Sequence, residues 1–219
     1  MINPINCALY KQTKDQLQEW PVGINAQFIF VQIPKTGTTT LIHELTKENM
    51  TQNIKCYRHE GLQYIQRICN INELPIYTIV RNPYRQMLSY FFHKTKMNEL
   101  SIINNDPVQT FHNWILTINL ENEVHINQVA HIKCENEKIR KNIKIFKFEE
   151  GIPKVILYLN EKYNLKMDSS THMNDNPEKH KFSHIPLRAF FSKMVLDKII
   201  SEFAEQFSYL GYSTRLPEK

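Results

Sequence analysis

Short, nearly continuous apolar runs alternate along this chain with longer stretches whose apolar residues recur every three or four positions. Gln27 to Ile33 (QFIFVQI) is apolar and β-branched at both alternations, the pattern of a parallel strand covered on both faces. It stops at Pro34. After Lys35-Thr36-Gly37, residues Leu41, Ile42 and Leu45 fall at helical spacing and predict a helix over Thr38 to Lys47. The alternation then repeats with a weaker strand at Ile54 to Tyr57, a helical stretch from Gly61 to Cys69, and a strand at Ile76 to Val80 (IYTIV). Arg81-Asn82-Pro83 opens a further helix, with proline in the first turn, that carries Met87, Leu88, Phe91 and Phe92.

Further on, two helices are predicted between about Asp106 and Lys133, a strand at Ile143 to Phe148 (IKIFKF), and a helix over Pro153 to Tyr163. Residues 164–184 are polar and read as a long loop of the kind that serves ligands, with Lys179 and Lys181 able to close over an anion. Val195, Ile199, Phe203 and Phe207 recur every four residues and predict one helix running to Gly211, which ends it in a left-handed conformation. Strands alternating with helices imply an α/β fold with a central parallel sheet flanked by helices. A length of 219 residues without an internal repeat or linker suits a single domain, with 1–26 as an N-terminal extension and 27–212 as the core.

Composition narrows the function. An apolar fraction of 42% with 12 Phe and 10 Tyr excludes a disordered chain. The formal charge of +5 favours anionic ligands, but 27 basic against 22 acidic residues is a mild excess without a polybasic block, and charge alone does not separate nucleotide, polyanion and nucleic acid; a nucleic-acid partner is not expected. Cys7, Cys56, Cys69 and Cys134 are widely spaced and make no C-x-x-C pair, which argues for reduced thiols rather than a zinc ribbon or a disulfide scaffold. The histidines show no H-E-x-x-H or similar ligand spacing, so no metal is expected. With no signal-like start and no stretch approaching ~18 apolar residues, a membrane segment is not expected and the compartment reads as cytoplasmic.

The chemistry concentrates at two strand ends. In Ile33-Pro-Lys-Thr-Gly-Thr-Thr-Thr-Leu41, Gly37 lets backbone approach an anion, and the following helix offers unsatisfied N–H groups and its positive dipole end. Lys35 adds a mobile charge, and Thr36, Thr38, Thr39 and Thr40 add hydroxyl donors. A phosphate cradle after the first strand makes the expected architecture a P-loop-like three-layer fold, although the Walker A spacing is absent. At the second strand end, Arg81 can donate a forked pair of bonds to a phosphate, and Ser89 lies two helical turns further along the same groove.

These two segments resemble the signatures of the sulfotransferases that use 3'-phosphoadenosine 5'-phosphosulfate (PAPS): a P-K-[TS]-G-[TG]-[TS]-like 5'-phosphosulfate loop, then an Arg at a strand end with a Ser eight positions on. Arg-Asn-Pro-Tyr, the Phe148-Glu149-Glu150 strand end, the Asn174 loop and Leu210-Gly211-Tyr212 look closest to the carbohydrate branch of that family. The resemblance implies transfer of a sulfuryl group from PAPS to an acceptor hydroxyl, with a carbohydrate acceptor implied by the likeness to that branch, and the desulfated nucleotide PAP as product. It further implies that Lys35 stabilises the leaving oxygen, that Lys35, Thr36, Gly37, Thr38, Thr39 and Thr40 hold the 5' end, and that Arg81 and Ser89 hold the 3'-phosphate. Members of this branch work in the Golgi lumen, so a trimmed lumenal domain is the alternative to a cytoplasmic enzyme. The acceptor's proton would go to His59 or Glu60, with His59 favoured because a neutral imidazole exists at neutral pH. A nucleotide-dependent kinase and a non-catalytic polyanion-binding module are the competing readings.

Overall fold

The computed structural model describes residues 27–47, 61–68, 74–120, 123–134, 142–171 and 181–218. Three parallel strands form its sheet: β1 (Ile29–Val31), β2 (Ile76–Val80) and β3 (Ile143–Lys147), in the spatial order β1-β2-β3. Ile29 pairs with Ile76, and Ile76 in turn with Ile143, so the three strands run level and end along one edge. Between and after them lie α1 (Thr38–Lys47), α2 (Leu62–Ile68), α3 (Pro83–Lys96), α4 (Pro107–Thr117), α5 (Gln128–Ile132), α6 (Ile152–Tyr163), α7 (Lys193–Glu202) and α8 (Ala204–Tyr209). This is the α/β architecture that the alternating pattern implied. Among the described residues no helix is long and apolar enough to cross a membrane.

Period-two alternation decides which helix covers which face. Phe28, Tyr77, Ile79 and Phe146 point to one side and pack with Leu41, Leu45, Val155, Ile156 and Leu159, burying the apolar stripes of α1 and α6. Ile29, Val31 and Ile76 point to the other side, against Leu62 and Ile65 of α2, while Ile33 and Val80 meet Val129 and Ile132 of α5. All five residues of β2 are buried, as expected of a strand with neighbours on both edges and helices on both faces. A separate aromatic core, built from Tyr84, Phe91, Phe111, Trp114, Phe190, Phe191 and Phe207, unites α3, α4, α7 and α8 beside the sheet.

Two elements depart from the sequence pattern. β1 spans Ile29–Val31 rather than residues 27–33, because beyond Val31 the chain leaves the ladder. There the Ile33 carbonyl accepts the hydroxyls of Thr36 and Thr38. The predicted single helix ending at Gly211 is two helices, broken at Phe203 (φ −115°, ψ 23°). The break lets α7 pack on α4 while α8 turns onto α5, so both keep their four-residue apolar spacing on different partners. Gly211 is left-handed (φ +64°), as expected, just past the end of α8. The predicted strand at 54–57 and the loop residues 172–180 lie outside the described residues. Of the four cysteines only Cys134 is described; it is buried and in no disulfide.

Candidate functional site

The carboxyl ends of adjacent parallel strands carry the residues of interest, which is where open α/β sheets place ligand crevices. The loop after β1 has an unusual backbone: Lys35 sits at φ +62° and Gly37 at φ +78°, with Thr36 between them not in the positive-φ region. Alternation of this kind turns successive N–H groups toward one concavity, the geometry of an anion nest. Glycine is required at 37 on two grounds. Its φ disfavours any side chain, and a Cβ there would come within 2.8 Å of Cδ2 of Phe148 and 3.2 Å of Cδ1 of Ile152.

Three carbonyls at the start of the loop are held by protein donors. Ile33 O accepts from Thr36 Oγ1 at 2.9 Å and Thr38 Oγ1 at 3.4 Å, Pro34 O from Gln86 Nε2 at 3.0 Å, and Lys35 O from Arg81 Nη1 at 3.1 Å. Three consecutive acceptors are thus satisfied by protein donors, next to the head of α1, where a helix's first N–H groups have no intrahelical acceptor. The threonines contribute differently from what their hydroxyls suggested. Thr36 and Thr38 are buried and their hydroxyls hold the loop's own shape. Thr40 is buried as well and Thr39 half-buried.

Arg81 stands beside this loop. Its guanidinium carbon lies 4.5 Å from the centre of the Phe148 ring, and its Nε is buried without a hydrogen-bond partner. Burial lowers its pKa to about 10, with Glu149 pulling the other way and Arg85 adding to the fall, so it stays cationic at neutral pH. Its own peptide is held by Gln128: Arg81 N donates to Gln128 Oε1 at 2.7 Å, and Gln128 Nε2 donates to Arg81 O at 2.7 Å.

The neighbouring helix start is already occupied. Asn82 caps α3 by accepting from Tyr84 N and Arg85 N, and the Asn82 N–H donates to Glu149 Oε1 at 2.8 Å. Glu149 Oε2 accepts from the Tyr212 hydroxyl at 2.8 Å, and burial first, then the Glu149 carboxylate, push that phenol's pKa well above its ordinary value. The first-turn N–H groups of α3 at Tyr84 and Arg85 are thus taken up by the Asn82 cap. Ser89 is half-buried on α3, one turn beyond Gln86 and roughly 9 Å of helix rise from Pro83.

The structure thus brings together Lys35, Thr36, Gly37, Thr38 and Arg81, with Ser89 further along α3. His59, Glu60, Lys179 and the Asn174 loop lie outside the described residues, and Lys181 is exposed. Among the described residues no group of three or more His, Cys, Asp or Glu could hold a metal ion. Two organising residues, Gln86 and Gln128, carry no signal in the sequence, since a glutamine on an amphipathic helix is ordinarily solvated. Phe148 and Glu149 were visible as a strand end, though not their contacts with Gly37, Arg81 and Asn82.

Fold and strand ends together define an α/β protein whose parallel sheet carries a left-handed loop and a half-buried arginine side by side at its carboxyl edge. No protein-family model, curated protein or solved structure matches the chain.

Proposed function

We propose that this protein is a PAPS-dependent sulfotransferase of P-loop-like fold, acting on an acceptor hydroxyl of a carbohydrate. The observation that carries the reading is the contact between the two strand ends, Arg81 Nη1 on Lys35 O at 3.1 Å, which joins the two segments that resemble the family's nucleotide-binding signatures. In this reading the α1 loop receives the 5'-phosphosulfate through its N–H groups and Lys35, and the α3 groove with Arg81 and Ser89 receives the 3'-phosphate.

Sulfuryl transfer parallels phosphoryl transfer: the acceptor oxygen attacks sulfur in line, the bond from sulfur to the phosphate oxygen breaks, and PAP leaves with the electron pair. Charge grows on that oxygen, where Lys35 and the head of α1 would stabilise it; loss of one such donor typically costs about 10²–10³ in turnover. The acceptor proton passes to His59 or Glu60, and no metal is required.

The test is nucleotide binding followed by turnover. PAP at ~100 times its dissociation constant stabilises its receptor by about 2.7 kcal/mol, on the order of 5 to 10 °C in melting temperature at this size. Stabilisation by ATP and not by PAP would instead favour a kinase. PAP binding without transfer of labelled sulfate to any of a panel of sugar, phenol and alcohol acceptors would leave a binding module.

A further inference from the structure

The conformation of the α1 loop is held by its own threonine hydroxyls and by contacts from outside it. Lys35 is not a glycine, yet it occupies the left-handed region, a placement that costs on the order of 1 kcal/mol and persists only where surroundings enforce it. The enforcing contact is Arg81, whose Nη1 holds the Lys35 carbonyl while the Phe148 ring, itself packed over Gly37, backs the guanidinium. Arg81 is in turn aimed by Gln128. This glutamine is fully buried, and its side-chain amide exchanges two 2.7 Å bonds with the Arg81 peptide, as a neighbouring strand would, at the point where β2 runs out. Gln128 is fixed by its own N–H donating to Gln206 Oε1 of α8 at 2.8 Å.

We infer that Gln128, acting through Arg81, is a positioning residue that latches the α1 loop in its anion-receiving shape. Released, Lys35 would relax to negative φ and swing its carbonyl toward the concavity, where an acceptor repels an anion. Arg81 therefore also serves the 5' side of the site, in addition to the 3'-phosphate role of the proposed function. The nucleotide arm of the test rests on the sulfotransferase reading, whereas the loop arm does not.

The variant is Gln128→Met, which keeps side-chain length and removes both bonds. Hydrogen exchange in residues 33–41 should quicken by about tenfold, the range expected from losing a bond to a charged group, with residues 152–163 unchanged. Affinities for adenosine 5'-phosphate, which lacks the 3'-phosphate, and for PAP should fall by the same factor, again about tenfold. A purely structural role would quicken exchange across α5, α6 and the sheet alike, and would overturn the inference. So would unchanged exchange at 33–41, or a loss confined to PAP. If the wild-type protein binds neither nucleotide the sulfotransferase reading fails, and exchange at 33–41 still decides the latch. Should Gln128→Met not fold, Arg81→Lys keeps the two main-chain hydrogen bonds to the Gln128 side chain and loses the reach to Lys35 O. The same exchange pattern is then expected, and its absence counts against the latch.

Discussion

Gly37 shows how much one residue can carry. It must supply a positive φ and also leave room for the Phe148 ring, so Gly37→Ala meets two separate penalties. We expect a loss of about 2–4 kcal/mol by chemical denaturation, combining backbone strain with overpacking. Adding Phe148→Ala should return only the overpacking part, because the backbone angle is unchanged; full recovery would mean that φ at 37 matters little. At this scale the sequence was informative where residue type is dictated locally. Lys35, Gly37 and Arg81 stood out because a strand end, a glycine and a helix start follow one another within a few positions. Gln86 and Gln128 did not, since their partners Pro34 and Arg81 lie 52 and 47 residues away and only tertiary packing joins them. Thr36 and Thr38 were less legible for a related reason, since a hydroxyl beside a phosphate-type loop reads as a donor to ligand until its carbonyl partner is known.

Elements are held to one another by a few buried polar contacts that lie away from the proposed chemistry. At the far end of α1, Glu44 is 2% exposed and bonds both the Lys47 ammonium at 2.6 Å and the Asp168 N–H at 2.9 Å, tying α1 to the segment after α6. Burial opposes ionisation of this carboxylate, but Lys47, the Asp168 N–H and Thr171 outweigh it, so its pKa lies below the ordinary 4.5. A depressed folded-state pKa gives stability that is complete above the unfolded value and is lost as pH falls through the folded one. Urea denaturation of the wild-type protein between pH 6 and pH 3 should therefore show a steeper loss of stability in acid than that of Glu44→Gln. Parallel curves would show that the tie contributes nothing. Helix existence was legible here from apolar spacing alone. The break at Phe203 was not, because both halves keep the same four-residue period and only their different partners, α4 and α5, distinguish them.

For the whole molecule the α/β class was readable from alternating strand and helix patterns, but what closes the carboxyl edge of the sheet was not. After α8 the chain returns across that edge: Lys147 Nζ donates to Gly211 O at 2.9 Å, the Tyr212 hydroxyl reaches Glu149, and the Tyr84 hydroxyl donates to Thr214 O at 2.6 Å. Tyr84 is fully buried among Phe191 and Phe207, and burial raises its pKa to about 12, so it remains a neutral donor. Removing residues 211–219 would leave that hydroxyl unpartnered in an apolar core, a cost of about 1–3 kcal/mol for this group alone. In the chain that keeps residues 211–219, Tyr84→Phe should be mildly destabilising, by about 1 kcal/mol, because Thr214 is exposed and its carbonyl can turn to water. In the shortened chain the same substitution removes the orphaned donor and should stabilise. The sign reversal, read from melting temperatures of the four proteins, isolates the contact that binds the C-terminal segment to α3. A Tyr84→Phe effect of equal size in both backgrounds would show that the segment is held by its other contacts, at Lys147 and Glu149.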